Sequence, residues 1–284
     1  MRTGWLIYRR ADASRNGSFI EWFMEEAEGQ CLQLEIIFRE DLKIGILNGQ
    51  QTILHKGKRV PLPDFAVVRT IDPMLSLHLE SVGIAVFNPA EVSRICNDKA
   101  LTHHAVQQLG IPMVDTLFMR RQDMQQPPLP FPFIVKEVSG RGGKQVYWVG
   151  NEKEWNDCVG RCKEDVIIQS TDVQKGKDLR VFVVGKEIVG AVLRESGTDY
   201  RANYTLGGTA SLYPLDAEEK AAVNAIIDAF DFGMAGIDFL IGGQGELLFN
   251  EIEDVVGSRT LSACSDINIL EKYVSHIKSR LSSQ

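Results

Sequence analysis

The segment spanning residues 235–253 constrains the fold of this chain more than any other. Two β-rich runs flank a glycine-rich turn at residues 242–245, and this pattern predicts a β-hairpin. Residues two apart on a strand share a face, so Glu251 and Glu253 of the returning strand should lie side by side. Closure of the hairpin brings Asp238 of the first strand within a residue or two of Glu251. The sequence therefore predicts three carboxylates at one place.

Such a cluster of acids has two interpretations. Neighbouring carboxylates repel one another unless a cation lies among them, and hard oxygen ligands suit Mg²⁺ or Mn²⁺, often with substrate phosphates completing the coordination shell. The alternative is a solvated strand face that is merely acidic. Regular alternation would put Leu247 and Phe249 on the face of the two glutamates, which indicates a half-buried surface. It favours a metal site formed by Asp238, Glu251 and Glu253.

Composition and charge argue against several classes of protein. The chain has 284 residues, enough for two or three subdomains. Its formal net charge of −7 argues against nucleic-acid binding, which needs a basic surface. No run approaches the ~18 apolar residues that span a bilayer, the amino terminus does not resemble a signal peptide, and the cysteines lack zinc-like spacing. We therefore expect a cytoplasmic protein with reduced cysteines and with no membrane or nucleic-acid partner.

The pattern of secondary structure changes along the chain. Roughly the first ninety residues alternate between strand and helix patterns, which predicts a parallel α/β sheet. The remainder favours antiparallel sheets with helices packed against them. A helix that begins after Asn97 or Asp98 should bury Leu101, Ala105 and Leu109 along one face.

Lys136 lies in a predicted strand, with Ile134 and Val138 on the same face. Burial of a lysine between apolar neighbours is costly unless its charge has a partner, and a phosphate would be one. The glycine-rich segment 139–144 follows at once, and glycines let main-chain N–H groups approach phosphate oxygens closely. Taken alone, the segment could be a flexible hairpin tip. Its position after a strand lysine, in a chain with an acid cluster, favours a phosphate-binding loop.

Further basic and polar residues are spread over the carboxy-terminal half. Arg180 and Arg194 lie in predicted strands, while Arg201 and Asn203 precede a double glycine. Taken singly, each is most simply a surface or ion-paired side chain. Together with the acids they indicate a cleft in which Mg²⁺ bridges phosphates and basic groups neutralise the remaining charge. This arrangement is typical of phosphoryl transfer from ATP.

The order of these motifs resembles the ATP-grasp superfamily, and most closely its RimK-like branch of ATP-dependent carboxylate–amine ligases. The resemblance covers nearly the whole chain and rests on the segments NDKALTHHAVQQLGIP, FPFIVKEVSGRGGKQV, DVIIQSTDVQKGKDLRVFVVG, RANYTLGGTAS and GIDFL. It implies an α/β (α+β) ATP-grasp fold. A parallel α/β domain at residues 1–95 would precede two α+β subdomains at residues 96–171 and 172–284, with the nucleotide between the two subdomains.

The resemblance also assigns roles to individual residues. The residues that it places around ATP are Lys99, Lys136, Ser139, Gly140, Gly142, Gly143, Lys144, Gln169, Ser170, Thr171 and Asp178. The hinge segment 169–171 would border the adenine base mainly through its backbone. Catalytic roles near the triphosphate and the substrate fall to Arg180, Arg201 and Asn203. The ligands of Mg²⁺ or Mn²⁺ would be Asp238, Glu251 and Glu253.

The sequence departs from the family's pattern at the second metal-binding strand. The family usually has Glu-x-Asn there, whereas Glu253 stands where the asparagine is expected. A shift of one residue would instead put Asn250 in the position of the glutamate. We prefer Glu251 and Glu253 because they share a strand face. Arg69 and Arg259 are weaker candidates for contacts with a substrate.

The activity that the resemblance implies is ATP- and Mg-dependent ligation of a carboxylate to an amine. ATP would phosphorylate the carboxylate of a small molecule or peptide, and an amine such as an amino acid would displace phosphate from the acyl phosphate. ADP and phosphate would be released. A kinase acting on a hydroxyl and a non-catalytic ATP-binding protein are the alternatives. Relatives are commonly dimers, which favours a homodimer, although the sequence leaves the oligomeric state open.

Overall fold

The computed structural model of the protein describes residues 1–143, 145–196 and 208–283. Its amino-terminal part begins with a Rossmann-like alternation of strands and helices and also contains a small hairpin sheet. In chain order its elements are β1 (Arg2–Tyr8), α1 (Arg10–Arg15), α2 (Gly17–Gly29), β2 (Leu32–Phe38), β3 (Leu42–Leu47), β4 (Gln50–His55), β5 (Lys58–Arg59), β6 (Phe65–Val68), α3 (Pro73–Ser81), β7 (Ala85–Phe87) and α4 (Ala90–Cys96).

The first sheet is parallel, as the sequence predicted, with strand order β2-β1-β6-β7. All four residues of β6 are buried, because helices and neighbouring chain cover both faces of a parallel sheet. The antiparallel sheet β3-β4-β5 was not predicted. Its turns are marked by left-handed backbone at Asn48 and Gly49, with φ of 53° and 75°, and again at Lys56 and Gly57.

The second sheet is antiparallel and has the order β10-β9-β11-β8. Its region comprises α5 (Lys99–Gln107), β8 (Thr116–Met119), β9 (Phe133–Glu137), β10 (Val146–Val149), α6 (Glu152–Arg161) and β11 (Val166–Ser170). Helix α5 begins where Asp98 accepts a hydrogen bond from the backbone N–H of Leu101, at 3.0 Å. The predicted buried face was wrong at Leu101, which is exposed, whereas Ala105 and Leu109 are half-buried against the core. The fully buried residues of the helix are Thr102, His103 and Val106.

The third sheet is also antiparallel, with the order β14-β13-β12-β15-β16. Its region comprises β12 (Val173–Val184), β13 (Glu187–Glu195), β14 (Thr209–Leu212), α7 (Ala217–Ala229), β15 (Met234–Gly242), β16 (Leu247–Glu253), α8 (Arg259–Cys264) and α9 (Ile269–Ser282). A capping box of Asp216 and Glu219 starts α7, which satisfies two backbone N–H groups that the helix leaves unpaired.

The amino-terminal part and the third sheet share one hydrophobic core. Phe23 of α2 contacts Tyr273 of α9 with ring centroids 5.5 Å apart, and both belong to a buried cluster that includes Phe65 and Phe182. Asn88 bonds to the backbone at both ends of the predicted hairpin, through the carbonyls of Met234 and Asp254 (2.9 and 2.7 Å) and the N–H of Gly233 (2.6 Å). These bonds hold the third sheet against the first. The second sheet is separated from the third by a cleft.

The mixture of one parallel and several antiparallel sheets confirms the predicted fold class. The first, second and third sheets use strands from residues 2–87, 116–170 and 173–253. Each set falls inside one of the three predicted ranges, although the division into domains itself stays a prediction. Among the described residues, none of the helices has the length and apolar character that would let it cross a membrane.

Candidate active site

A cavity of about 400 Å³ lies between the second and the third sheet. The predicted site residues that line it are Lys99, Lys136, Gly140, Gly142, Gly143, Gln169, Ser170, Thr171, Asp178, Arg180, Asp238, Glu251 and Glu253. Ser139 does not line it, because its hydroxyl donates to the carboxylate of Glu164 instead. Three further predicted residues, Lys144, Arg201 and Asn203, lie outside the described residues.

The cavity is basic although the chain as a whole is acidic. Among the described residues its lining contains four acids, Asp178, Asp238, Glu251 and Glu253, and six bases, Lys99, Lys136, Lys175, Lys177, Arg180 and Arg194. Because the low-dielectric walls of a cleft focus the field of the charges that line it, this local excess of positive charge favours an anionic ligand.

The three predicted metal-binding carboxylates converge at one end of this cavity. Strands β15 and β16 pair in antiparallel register with Asp238 opposite Glu251. One carboxylate oxygen of each of Asp238, Glu251 and Glu253 lies within 4.8 Å of the other two. The donor set consists of hard carboxylate oxygens, and the two glutamate side chains are 32% and 39% exposed towards the cleft. These residues therefore fit a hard divalent cation such as Mg²⁺.

A β-bulge at Asn250 corrects the predicted arrangement of β16. The register shifts so that Glu251 pairs with Asp238 while Phe249 pairs with Phe239. Phe249 and Ile252 are both buried in the core of the third sheet, so Phe249 does not share the face of the glutamates. Leu247 packs at the same core. The extra residue in the bulged strand rotates the following side chains to the other face.

Asn250 itself points into the cavity and accepts a hydrogen bond from Nζ of Lys136, at 2.6 Å. Its side chain therefore holds a lysine, whereas Glu251 and Glu253 are the residues that cluster with Asp238. The bulge explains how three of four successive residues, Asn250, Glu251 and Glu253, all line one cavity.

Two arginines surround the carboxylate of Asp238, which is 1% exposed. Arg180 donates from Nε and Nη2 to its two oxygens at 2.7 and 2.6 Å, and Arg194 donates from Nη2 at 2.9 Å. Burial by itself raises the pKa of Asp238, but the charges of both arginines outweigh it and hold that pKa at about 2. Arg194 also binds Asp178 through two bonds of 2.6 and 2.7 Å. Asp238 is thus ionised at any physiological pH.

The two glutamates differ in their surroundings. Burial raises the pKa of Glu251, yet the charge of Lys99, whose Nζ lies 3.2 Å away, brings that pKa below its ordinary value. Burial keeps the pKa of Glu253 above its ordinary value, although Nη2 of Arg180 lies 2.8 Å from its carboxylate. The guanidinium of Arg180 therefore bridges Asp238 and Glu253. A metal ion bound by both carboxylates would have to lie next to this guanidinium.

The two predicted nucleotide lysines stand beside the carboxylates. Burial lowers the pKa of Lys136 from 10.5 to about 8, although Glu251 opposes the shift. Lys99 is the first residue of α5, and its Nζ donates to the carbonyl of Gly140. This bond joins the helix to the glycine loop. The backbone N–H of Lys99 also donates to the carbonyl of Val138 at 2.9 Å, so the start of α5 is fixed to the end of β9.

The glycine loop between β9 and β10 requires glycine at two positions. Gly142 and Gly143 have φ of 58° and 71°, a left-handed conformation that other residues adopt only at a cost. A side chain at Gly140 would also meet the backbone oxygen of Glu137 at 3.0 Å. All three glycines line the cavity, so the loop backbone can approach a bound anion closely, although the N–H of Gly140 already donates to the carbonyl of Glu137 at 3.0 Å.

The apolar part of the cavity lining was not predicted residue by residue. It comprises Ile134, Val146, Trp148, Val173 and Leu240. Nζ of Lys175 lies 4.3 Å from the centre of the Trp148 ring, so a cation–π contact connects the second sheet to the start of β12. The sequence signal covered Ile134 alone, which is two residues from Lys136 and so shares its strand face. Trp148 joins that face only through its pairing with Ile134 in the folded sheet.

Neither of the weaker arginine candidates lines the cavity. Arg69 is buried, donates from Nη2 to the carbonyl of Val256 at 2.7 Å and lies over the ring of Phe19. It ties the first sheet to the segment after β16. Arg259 begins α8 and is exposed.

A comparison with protein families decides the family. The model of the RimK-like ATP-grasp domain matches residues 96–277. The chain belongs to the RimK-like ATP-grasp family. This confirms the assignment made from the order of the sequence motifs.

Curated relatives of this RimK-like protein include named ligases. It is 26% identical over 252 residues to glutamate–LysW ligase ArgX of Sulfurisphaera tokodaii, covering 84% of this chain and 89% of the relative. It is also 26% identical over 265 residues to human N-acetylaspartylglutamate synthase A, covering 84% of this chain and 67% of the relative.

Solved structures confirm the fold. An ATP-grasp RimK domain protein from Sphaerobacter thermophilus superposes with a TM-score of 0.72 at 16% identity and covers 97% of this chain and 99% of that one. D-alanyl-alanine synthetase A from Vibrio cholerae also gives 0.72 at 16% identity, with 99% and 98% covered. The similarity extends over essentially the whole length of both chains.

Proposed function

We propose that this RimK-like protein is an ATP-dependent carboxylate–amine ligase that binds the nucleotide in the cleft between its second and third sheets. The observation that carries the proposal is the meeting of Asp238, Glu251 and Glu253 within 4.8 Å, beside Lys99 and Lys136, in a basic cavity of about 400 Å³. Three acids and two lysines in a cavity that apolar side chains such as Ile134 and Trp148 also line suit a ligand that combines a triphosphate with a flat base.

Mg²⁺ is the metal that we propose for the three carboxylates. When bound, it neutralises charge on the phosphate oxygens and favours transfer of a phosphoryl group. Asp238 supplies an oxygen that is ionised throughout the physiological pH range, because two arginines hold its pKa near 2. A cation at this carboxylate competes with Arg180, which now donates to both of its oxygens. If a cation took one of these oxygens, the N–H group of Arg180 that it released would be available to a phosphoryl oxygen.

The other residues align two anions that would otherwise repel. Lys99 and Lys136 neutralise phosphate oxygens, and the main-chain N–H groups of the glycine loop bind them from the opposite side. Arg194 keeps Arg180 and Asp238 in place through its own bonds to Asp178 and Asp238. No side chain forms a covalent bond with the substrate. The substrate carboxylate attacks the γ-phosphorus of ATP and ADP leaves, which gives the acyl phosphate. The amine then attacks the acyl carbon, phosphate leaves, and the nitrogen loses a proton as the amide forms.

The substrates are proposed only by class. One is a carboxylate of a small molecule or peptide, and the other is an amine such as an amino acid. The names of relatives support this choice, since they include a glutamate–LysW ligase and an N-acetylaspartylglutamate synthase. A cytoplasmic location and a homodimeric state stay predictions from the sequence.

The proposal is tested by the products of the reaction. Purified protein is given ATP, Mg²⁺ and pools of carboxylates and amines, and ADP, phosphate and the amide are measured. ADP and phosphate should form in equal amounts only when both an acid and an amine are present. AMP with pyrophosphate would contradict the mechanism. A stable phosphorylated hydroxyl formed without an amine would identify the kinase instead, and binding without turnover would identify a non-catalytic ATP-binding protein.

A further inference from the structure

Two cysteines meet at the end of helix α6, on the face of the second sheet that is turned away from the cavity. Cys158 lies in the helix, and Cys162 ends it. Both are free thiols and pack in the hydrophobic cluster that includes Phe133 and Trp155. Their Sγ atoms are 3.8 Å apart. Because a disulfide bond is about 2.0 Å long, the two sulfur atoms need to approach each other by only about 1.8 Å.

The position of Cys162 at the helix end allows this approach and gives a small oxidant access to the pair. Its backbone N–H makes the last hydrogen bond of the helix, to the carbonyl of Cys158 at 3.0 Å, and its own ψ of 133° is already extended. The next three residues, 163–165, are exposed. Only 3% of Cys158 and 4% of Cys162 are exposed in the closed helix, but helix ends open locally at little cost in free energy.

The two thiols are not equivalent. The hydrogen bond from the Cys158 thiol lowers the pKa of Cys162 below its ordinary value, and the charge of Arg121 contributes, although burial opposes the shift. The same hydrogen bond and burial raise the pKa of Cys158. The thiolate is the nucleophilic form of cysteine. Cys162 is therefore the sulfur that attacks an oxidant, and Cys158 is the sulfur that reacts with the product.

The segment that follows Cys162 holds the end of β9, from which the glycine loop begins. The backbone N–H of Lys163 donates to Oε1 of Glu137 at 2.6 Å. The carbonyl of Asp165 accepts a hydrogen bond from the N–H of Val138 at 3.0 Å. A movement of Cys162 therefore passes directly to the last residues of β9.

These contacts lie next to the two lysines that we propose for phosphate binding. Glu137 follows Lys136 in β9, and the carbonyl of Val138 accepts a hydrogen bond from the backbone N–H of Lys99 at 2.9 Å. Both lysines line the cavity. The dithiol of α6 is thus connected to the phosphate site by a short path of backbone contacts.

We propose that a peroxide converts Cys158 and Cys162 into a reversible disulfide, and that this disulfide weakens nucleotide binding in the cleft. The thiolate of Cys162 attacks one oxygen of the peroxide and hydroxide leaves, which gives a sulfenic acid. The sulfur of Cys158 then attacks the sulfenic sulfur, and the hydroxyl group leaves with a proton as water. In sum, the two thiols lose two electrons and two protons, and one hydrogen peroxide becomes two waters. A small thiol reverses the reaction by exchange.

The effect on binding rests on the proposed function, whereas formation of the disulfide does not. Movement of Cys162 towards Cys158 displaces residues 163–165, which hold the end of β9. The affinity for ADP should therefore fall about tenfold, a usual size for coupling between two sites. Such coupling is reciprocal. Saturating ADP should stabilise the dithiol and make the midpoint potential of the pair about 30 mV more positive, which is the same tenfold factor for two electrons.

The disulfide is tested by peptide mapping of the wild-type protein after treatment with hydrogen peroxide. Trypsin cleaves after Arg161, between the two cysteines, so a disulfide keeps two peptides together without reductant. The linked pair should appear in the mass spectrum and be lost with dithiothreitol. Cys31 is exposed, and its oxidation shows that the peroxide has reacted. Oxidised Cys31 without the linked pair would overturn the inference, as would a Cys162 that is oxidised to sulfinic acid beside a free Cys158.

The effect on the cleft is tested by calorimetry of ADP with Mg²⁺ on reduced, oxidised and re-reduced protein. Affinity should fall about tenfold on oxidation and return with dithiothreitol. Cys162→Ala is the matched control, because peroxide still reaches Cys31 and Cys158 but no disulfide can form, so its affinity should not change. An equal affinity of the reduced and the disulfide form would overturn the coupling, as would an equal fall in Cys162→Ala. Failure of ADP to bind the reduced wild-type protein would contradict the proposed function and leave the disulfide established by its linked peptides.

Discussion

The pKa of Lys136 makes the pH dependence of nucleotide binding a quantitative test of the phosphate site. Burial lowers this pKa from 10.5 to about 8 in the protein without ligand, while a bound phosphate restores the charged form. A nucleotide binds the protonated lysine, so the affinity for the nucleotide must fall as the pH rises through 8. The protonated fraction drops from about three quarters at pH 7.5 to about 3% at pH 9.5, so the association constant of ADP should fall about twentyfold.

Calorimetric titration of ADP with Mg²⁺ at pH 7.5, 8.5 and 9.5 measures this effect, and the phosphates of ADP are ionised at all three values. Lys136→Arg is the matched control, because a guanidinium keeps its charge and should reduce the change to less than about twofold. The reasoning would be refuted by a wild-type association constant that is flat across this range. It would also be refuted by a fall of equal size in Lys136→Arg, which would assign the titration to another group.

Three further changes test other parts of the structure. Glu251→Gln should lower turnover at least about 100-fold, because one oxygen ligand loses its charge, while thermal stability should change little. Near-normal ADP release would exclude Glu251 as a metal ligand. Asn88→Ala should lower the free energy of unfolding by about 3 kcal/mol, since it leaves buried backbone groups of the hairpin without partners. Urea denaturation that shows a decrease of under about 1 kcal/mol in this free energy would contradict the prediction. Gly4→Ala puts a methyl group 2.2 Å from the ring of Phe65, so it should destabilise the protein by about 1–3 kcal/mol, and an unchanged denaturation midpoint would show that the ring can move.

Residues whose role depends on local pattern could be predicted from the sequence. The approach of Asp238 to Glu251 follows from a glycine turn between two strands, and the register places them opposite each other. The parallel first sheet follows from alternating strands and helices. In both cases the determining interactions are close in sequence, or they repeat with a fixed period, which is why periodicity is informative.

The β-bulge at Asn250 could not be predicted from alternation. A regular strand puts Phe249 beside Glu251, and only the core shows that Phe249 must turn inwards, where it contacts Phe239 with ring centroids 6.2 Å apart. Burial of this aromatic ring outweighs the regular ladder. The bulge is the packing solution that leaves both Asn250 and Glu251 in the cavity.

The hairpin sheet β3-β4-β5 was missed although its signal was present. Asn48-Gly49 is the dipeptide that most strongly favours a two-residue hairpin turn, and it connects β3 to β4. The alternation of the surrounding strands and helices masked it. The buried face of α5 was only partly predicted for a different reason. His103 is a polar residue that lies in the interior, where it bonds to Lys99 and Gln169 and contacts the ring of Phe249.

The contacts of the arginines lay beyond any sequence pattern. Arg180 and Arg194 are far from Asp238 along the chain, yet both donate to its carboxylate. They meet there because Arg180 pairs with Asp238 in the register of β12 and β15, and β13 brings Arg194 opposite Asp178. Sheet order, which joins distant segments, is therefore what completes the site.

The most direct test of the central claim is the magnesium dependence of ADP binding, measured by calorimetry in wild-type protein and in Glu251→Gln. The claim is that Asp238, Glu251 and Glu253 hold a divalent cation against the phosphates of the nucleotide. The account predicts that Mg²⁺ strengthens the binding of ADP at least about tenfold in the wild-type protein, and that most of this gain is lost in Glu251→Gln. Equal affinities with Mg²⁺ and with a chelator in the wild-type protein would contradict it.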